Sequence, residues 1–346
     1  MVLETDLRPC PPYSLALSAR LRSDATRTFR DGVFTAVFEA GGPALAHVHQ
    51  RADGTLAVRL ESREPDAAME VLRFVLAVDD DHSEFLLRFR DDPLLGPRIR
   101  LLRGMRPLRV ATVTHALLKA VCGQLIQARA ARLLEAKLIR AASEEHEGLR
   151  LPPTRATFAG FAPAELARIG LVSRKATALV RLSRELDLER LRAVPTAQAR
   201  ARIERERGLG PWSAGVICLY GLGRFEHGLV GDLGLIKLCA ALNGRWADET
   251  DTRELLEPYR EWAGLASVYL LAASGPGGAS PAPTRSLGFP GRRPNVAGFD
   301  DVLANRGQLF VASDHAVMKA PSPDRPTDLP RRTRLEETDH GRRGGS

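Results

Sequence analysis

Between residues 13 and 89 the hydrophobic positions favour short strands. Hydrophobic residues alternate with polar or small residues over 13–17 and 56–60, and a period of two is typical of a half-buried strand. Over 67–78 the hydrophobic spacing becomes helical. Two dipeptides of the kind found in tight hairpin turns also occur here, Asp31-Gly32 and Asp53-Gly54. We therefore predict a small α+β domain over residues 1–98.

From Leu101 onward the hydrophobic pattern is helical and the connections are short. Thr114 is a candidate N-cap, and Pro163 suits the first turn of a helix. The predicted helices cover residues 114–121, 130–142, 163 onward, 173 onward, 186–194, 197–207, 212–220, 233–242 and 253–273. About eight helices with short connections indicate an all-α domain, which we place over residues 99–273.

The composition changes after Ser274, where proline, glycine and arginine become frequent. Such a segment has too few hydrophobic residues to form a core, so we predict a disordered tail over residues 274–346. The whole chain has 346 residues, of which 44% are hydrophobic and 27% are charged. That length and composition are ordinary for a globular protein with two domains.

The net charge is +8, and nearly all of the basic residues are arginine. Arginine binds phosphate and stacks on bases, but a mild basic excess occurs in many proteins and does not by itself indicate nucleic acid. The four cysteines form no C-x-x-C pair, so we expect no zinc site or iron–sulfur cluster. Residues 1–12 lack the pattern of a signal peptide, and no run approaches the roughly 20 apolar residues of a membrane span. We expect a cytoplasmic protein that contacts no membrane.

A glycine-containing turn, Gly208-Leu209-Gly210-Pro211, joins two of the predicted helices. In one interpretation Gly208 only ends the first helix and Pro211 only begins the next. In the other interpretation the turn is a helix–hairpin–helix, in which the backbone of Gly208, Leu209 and Gly210 approaches a DNA phosphate. A contact of that kind carries no sequence information.

Several segments around this turn match one known family. Together with the turn they resemble the helix–hairpin–helix DNA glycosylase superfamily, and within it the 3-methyladenine DNA glycosylase II branch (AlkA-like). The likeness covers about residues 10–273, and the N-terminal domain matches only loosely. The segments are Val121-Cys122-Gly123-Gln124-Leu125-Ile126-Gln127, Gly170-Leu-x-x-Arg174-Lys175, Gly231-Asp232-Leu233-Gly234-Leu235 and Pro258-Tyr259-Arg260-Glu261-Trp262-Ala263.

The resemblance implies an enzyme that flips a damaged base out of duplex DNA and breaks its bond to the sugar. Alkylated purines of the 3-methyladenine and 7-methylguanine type are the expected substrates. A carboxylate next to the sugar would stabilise the positive charge of the transition state and orient the attacking water. Asp232 is the candidate, because it matches the acid of the family loop and precedes a predicted helix. The other interpretation of Asp232 is an ordinary N-cap.

The resemblance also suggests which residues form the base pocket. Relatives that nick the strand have a nucleophilic lysine just after the second glycine of the hairpin, where this chain has Pro211-Trp212. Schiff-base chemistry requires an amine, so we expect no lyase activity. Trp212 is either a stacking surface for the base or a core residue. Tyr259 corresponds to a pocket aromatic of the family, and Trp262 would share its helix face.

Two positions depart from the family pattern, because Val216 and Leu233 stand where aromatic residues are usual. The departure predicts a less aromatic pocket. Leu125, beside Gln124, matches the position of an apolar wedge that enters the gap left by the flipped base, and a core position is the alternative.

Arg174 and Lys175 begin a predicted helix, where they either contact phosphate or form a solvated face. No metal is expected to take part in the chemistry, although the family holds a monovalent cation on hairpin carbonyls. The expected partner is duplex DNA with damaged bases, bound by a monomer associated with the nucleoid.

Two alternatives remain open. The same scaffold serves glycosylases for other lesions, such as deaminated bases, and the residues around Asp232 would not differ between them. A non-enzymatic DNA-binding protein would also retain the hairpin.

Overall fold

The computed structural model describes residues 1–20 and 23–272. Its first part contains a five-stranded antiparallel sheet with the strand order β1-β5-β4-β3-β2. The turn between β2 and β3 lies at Asp31 and Gly32, which both have positive φ, as the hairpin dipeptide predicts. The strands are β1 (Val2–Leu7), β2 (Arg27–Arg30), β3 (Val33–Glu39), β4 (Pro43–Gln50) and β5 (Leu56–Glu61).

The strand predicted over residues 13–17 is wrong. Helix α1 (Leu15–Ala19) lies there, and the Ser14 side chain caps it by accepting a hydrogen bond from the Leu17 N–H. The apparent alternation is too short to distinguish a strand from one helical turn, and Ser14 decides for the helix.

Helix α2 (Pro65–Leu76), which the spacing over 67–78 predicts, packs with the sheet around one hydrophobic core. That core includes Phe34, Phe38, Leu60 and Leu72, all almost fully buried. The structure therefore confirms a small antiparallel sheet with a helix packed on it.

The rest of the described chain is mainly helical. Two short strands, β6 (Glu145–His146) and β7 (Leu149–Arg150), form a hairpin within it. The helices are α3 (Ser83–Arg88), α4 (Leu95–Leu101), α5 (Val113–Gly123), α6 (Ala128–Ala142), α7 (Arg155–Ala159), α8 (Pro163–Ile169), α9 (Ser173–Glu185), α10 (Thr196–Glu204), α11 (Pro211–Val216), α12 (Leu233–Asn243), α13 (Glu249–Leu256) and α14 (Ala263–Ala272).

Short segments of other helix types connect several of these helices. A 3₁₀ helix covers Leu188–Ala193, and α11 continues as a π-helix over Ile217–Leu222. A second 3₁₀ helix covers Glu257–Trp262.

A second hydrophobic core joins the helices from α3 to α14. Helix α5 lies inside this core, since residues such as Leu117, Leu118 and Val121 are at most 1% exposed. The cap of α5 is Thr112, whose hydroxyl accepts from the His115 N–H, and not Thr114, which is the buried second residue of the helix.

The single helix predicted over residues 253–273 is also wrong, because three segments share that range. The chain bends at Arg260, which has φ 44° and ψ −117°, between α13 and α14. Pro258 precedes this bend, and hydrophobic spacing alone does not reveal it.

Among the described residues, no helix combines the length and the apolar character needed to span a membrane. The division between residues 98 and 99 stays a prediction. The disordered tail predicted for residues 274–346 lies outside the described residues.

Candidate active site

Asp232 lies at the start of α12, at the end of a glycine turn. Gly231 has φ +84°, a conformation that favours glycine, and its N–H donates to Thr252 Oγ1 at 2.8 Å. Asp232 is the N-cap of α12, since its Oδ1 accepts from the Gly234 N–H at 2.8 Å. The capping geometry and the positive end of the helix dipole both stabilise a negative charge at this position.

The second carboxylate oxygen of Asp232 is bonded to Trp212. The indole Nε1–H donates to Asp232 Oδ2 at 2.9 Å. The far edge of the same indole lies against Gly123 at the end of α5, where an added Cβ would come within 2.6 Å of Trp212. Glycine at position 123 therefore makes room for the ring that holds Asp232 in place.

Asp232 forms no ion pair with any residue that the structure describes, and its two bonded donors are neutral. Both of its oxygens are thus held in position, and no described cation compensates the charge of the carboxylate.

The two hairpin glycines have different local requirements. Gly208 has φ +93°, which a residue with a side chain rarely adopts. Gly210 has φ −108° and ψ −170°, which any residue can adopt, and no described atom lies within 4 Å of a Cβ built there. Nothing in the described chain requires glycine at position 210, so open backbone at that point suits contact with another molecule.

Gln124 connects α5 to the hairpin. Its Nε2 donates to Gly208 O at 2.7 Å and to Ser213 Oγ at 3.1 Å. Its own backbone carbonyl accepts from Lys175 Nζ at 2.8 Å. Lys175 is only 9% exposed and burial lowers its pKa, so this ammonium supports the Gln124 loop, whereas the sequence suggested that it contacts phosphate.

Leu125 follows this anchored glutamine in a left-handed conformation, with φ +58°, and is 69% exposed. A leucine held outward by its backbone at the edge of a cavity suits a wedge and does not suit a core role.

One cavity of about 1540 Å³ brings these residues together. Nearly all of the sequence-predicted site residues line it. They are Asp232, Trp212, Val216, Leu233, Gly208, Gly210, Gln124, Leu125, Arg174 and Lys175.

Three predicted site residues lie elsewhere. Leu209 is 6% exposed and belongs to the helical core. Tyr259 packs on Phe89 with its hydroxyl 3.4 Å from Asp92, and Trp262 stacks on Phe225. Neither aromatic ring lines the cavity, so we leave both residues out of the pocket.

The cavity has a buried end that sequence reasoning missed. Lys119 and Glu135 line it from α5 and α6, and Asp24 and Arg27 line it from the sheet domain. The Lys119 ammonium lies 2.8 Å from Glu135 Oε1 and donates to Oε2 at 2.9 Å. The only available signal was a lysine amid the apolar residues of a helix, in a chain whose basic residues are nearly all arginine.

The open end of the cavity is basic. Four cationic side chains that line it are exposed and form no ion pair with any described residue. They are Arg132, Arg174, Arg207 and Lys237.

Two of the hairpin carbonyls, which a monovalent cation would need, accept hydrogen bonds from this chain. Gly208 O accepts from Gln124, and Gly210 O accepts from the Ala214 N–H at 3.0 Å. We therefore route no step through such a cation.

Comparison with known proteins places this geometry in context. No protein-family model matches the chain. The DNA-3-methyladenine glycosylase of Bacillus subtilis (strain 168) is 27% identical over 218 residues, which cover 58% of this chain and 71% of that protein.

Solved structures share the fold. The 3-methyladenine DNA glycosylase of Archaeoglobus fulgidus superposes with a TM-score of 0.67 at 23% identity, over 78% of this chain and 97% of that one. The 8-oxoguanine glycosylase/lyase of Clostridium acetobutylicum, in complex with duplex DNA containing cytosine opposite 8-oxoguanine, has a TM-score of 0.65 at 17% identity. That likeness covers 79% of this chain and 96% of the other. The same fold thus occurs in glycosylases whose names give two different lesions.

Proposed function

We propose that this chain, which belongs to the helix–hairpin–helix DNA glycosylase superfamily, is a monofunctional glycosylase that removes alkylated purines from duplex DNA. The proposal rests on the position of the Asp232 carboxylate, which lines a cavity large enough for a base. This carboxylate has no cationic partner among the described residues and is held by the Trp212 indole. The name of the Bacillus subtilis relative supports 3-methyladenine as a substrate.

In the proposed reaction the damaged base leaves the duplex and enters the cavity, at a cost of a few kcal/mol. The bond between C1′ and the base nitrogen breaks, and the base leaves with the bonding electrons. Positive charge then develops on the sugar, where Asp232 stabilises it. Water adds to C1′ and gives up a proton, which Asp232 accepts or passes to solvent.

We assign DNA binding to the open end of the cavity. The backbone at Gly208 and Gly210 receives a phosphate, and Arg174 and Arg207, which form no ion pair with a described residue, add electrostatic attraction. Leu125 fills the space that the extruded base leaves in the duplex. Binding of this kind weakens with salt, by a log–log slope of about −0.9 for each phosphate neutralised.

We assign no lyase activity to the chain, because Trp212 stands where the family places the nucleophilic lysine and its indole donates to Asp232. Of the three lysines that line the cavity, Lys175 donates to a carbonyl and Lys119 to Glu135, and Lys237 is exposed to solvent. Borohydride trapping on damaged duplexes should give no covalent adduct, and a trapped adduct would contradict this assignment.

The decisive experiment is single-turnover excision on duplexes that each carry one lesion. The panel contains 3-methyladenine, 7-methylguanine, hypoxanthine, uracil and 8-oxoguanine. We expect release of the methylated purines by the wild-type protein and none by Asp232→Asn. Release of another lesion alone would overturn the substrate assignment, and a folded protein that binds damaged DNA but releases nothing would indicate a non-enzymatic role.

A further inference from the structure

The buried end of the cavity carries a charged pair that the reaction proposed above does not use. Glu135 is 2% exposed, and both of its carboxylate oxygens face the ammonium of Lys119. His115 Nε2 lies 3.0 Å from Glu135 Oε1. Because a charged pair is costly to desolvate, its place in the wall of a cavity suggests a function beyond packing.

Lys119 occupies the same wall as the residues that hold Asp232. It lies four positions before Gly123 on α5, so the two share a helix face one turn apart. Gly123 contacts the Trp212 ring, which bonds to Asp232. Lys119 therefore lies on the face of α5 that meets Trp212, and Lys119, Trp212 and Asp232 all line the same cavity.

Lys119 has a donor available for such a base. An ammonium has three N–H bonds, and its hydrogen-bond and ion-pair partners among the described residues are the two oxygens of Glu135. The Lys119 side chain is 21% exposed, and the described residues that line the cavity include it.

A metal ion is the other ligand that this cluster suggests. Asp24, His115 and Glu135 place ligand atoms within 4.8 Å of one another. However, Asp24 Oδ2 lies 3.2 Å from Arg27 Nε, and Glu135 is occupied by Lys119. Two cationic side chains already stand where a metal would bind, so we assign a positioned ammonium to the site.

We propose that Lys119 donates a hydrogen bond to the carbonyl oxygen at position 6 of an extruded purine, and so favours 6-oxopurine lesions over 6-aminopurine lesions. This inference rests on the proposed glycosylase function. An ammonium has no acceptor for the exocyclic amine of an adenine-type base, whereas the 6-oxo group of a guanine-type base is an acceptor. Undamaged guanine also has this oxygen, but its full pairing and stable glycosidic bond protect it.

Glu135 keeps the donor in place. Burial alone would raise the pKa of Glu135, but the charge of Lys119 and the hydrogen bond from His115 outweigh burial and lower it. The carboxylate therefore stays ionised at neutral pH and orients the ammonium toward the cavity.

The test compares single-turnover excision of 7-methylguanine, which has the 6-oxo group, with excision of 3-methyladenine, which has a 6-amino group. Lys119→Met removes the donor but leaves the buried Glu135 carboxylate without a counter-ion. The double variant Lys119→Met/Glu135→Gln removes both charges, so no unpaired buried charge remains. Lys119→Arg keeps a cationic donor and serves as the matched control.

We expect the double variant to lose about tenfold or more in 7-methylguanine excision, the effect of one hydrogen bond to a charged donor, and to change less than about threefold on 3-methyladenine. Lys119→Arg should retain most of the wild-type ratio of the 7-methylguanine excision rate to the 3-methyladenine excision rate. A merely structural role would lower both rates equally and leave the ratio unchanged, which would overturn the inference.

The outcome separates the two proposals. If the wild-type protein releases neither base while it binds damaged DNA, the glycosylase proposal fails. If it releases both and the ratio is unchanged in the variants, only the role of Lys119 fails. Product inhibition of the wild-type protein gives a second measurement that does not depend on variant folding: free 7-methylguanine should inhibit more strongly than free 3-methyladenine, and equal inhibition contradicts the inference.

Discussion

Two carboxylates that line the cavity, Asp232 and Glu135, are held in opposite ways. At the open end, Asp232 accepts from a backbone N–H and from the Trp212 indole, which are both neutral. At the buried end, Glu135 lies against the Lys119 ammonium. No described cation compensates the charge of Asp232, so that charge can act on a substrate. The charge of Glu135 is compensated by Lys119.

The difference teaches that the bonding partner decides the role of an acid more than its burial does. Neutral donors orient a carboxylate without cancelling its field, which suits the stabilisation of a developing positive charge. A cationic donor cancels the field and leaves a positioned N–H, which suits recognition of a base.

Neutralising Asp232 should have the largest effect. Asp232→Asn keeps a good N-cap but removes the charge, so we expect a loss of about 10³-fold in excision rate with little change in unfolding free energy. The measurement is single-turnover excision together with chemical denaturation. Glu249→Gln is the matched control, because Glu249 lines the same end and is paired with Arg253. Equal losses in both variants would remove the distinction between the two acids.

Neutralising Glu135 should instead reduce stability. Glu135→Gln leaves Lys119 without its counter-ion, and because that lysine is partly exposed we expect a loss of about 2–3 kcal/mol, below the value for a fully buried pair. The measurement is urea denaturation at neutral pH.

The same variant carries a pH prediction. The pKa of Glu135 is lower in the folded protein than its ordinary value of 4.5. Ionised Glu135 therefore makes its full contribution to the free energy of unfolding above about pH 4.5. That contribution is lost as the pH falls through the pKa that Glu135 has in the folded protein. The stability difference between wild type and Glu135→Gln should therefore narrow at pH 3. If the difference in unfolding free energy between the two proteins stays constant with pH, the charge of Glu135 is not the origin of that difference.

Removing the indole donor should have a smaller effect on rate. Trp212→Phe keeps an aromatic ring but leaves Asp232 Oδ2 without its N–H, and because Asp232 is half-buried, water replaces part of that bond. We expect about a tenfold slower excision. Trp246→Phe, at an exposed tryptophan outside the cavity lining, should leave the rate unchanged.

The smallest effect should come from the hairpin. Gly210→Ala meets no described atom and requires no unusual φ, so the unfolding free energy should change by less than about 0.5 kcal/mol while affinity for duplex DNA falls several-fold. Gly208→Ala is the contrast, because its positive φ should cost about 1–2 kcal/mol of stability. Unchanged DNA affinity in Gly210→Ala would argue against phosphate contact there.

The local features of the site were predictable from the amino-acid sequence. The turn at Gly208, the helix start at Pro211 and the acid before α12 were all predictable, because capping and turn geometry depend on residues a few positions apart. Even so, local patterns predicted the wrong cap for α5 and predicted a strand where α1 lies. At both positions the helix start is fixed by a capping hydrogen bond, to the Thr112 side chain in α5 and to the Ser14 side chain in α1.

Which of these features come into contact depends on how the helices pack. The bond from Trp212 to Asp232 depends on how two helices pack, and the pairing of Lys119 with Glu135 depends on the contact between α5 and α6. The bend at Arg260 and the packing of Tyr259 on Phe89 leave no signal in the hydrophobic periodicity of the sequence. Periodicity specifies which face of a helix is buried, but it does not specify the neighbour that the face meets, and a site is made of such neighbours.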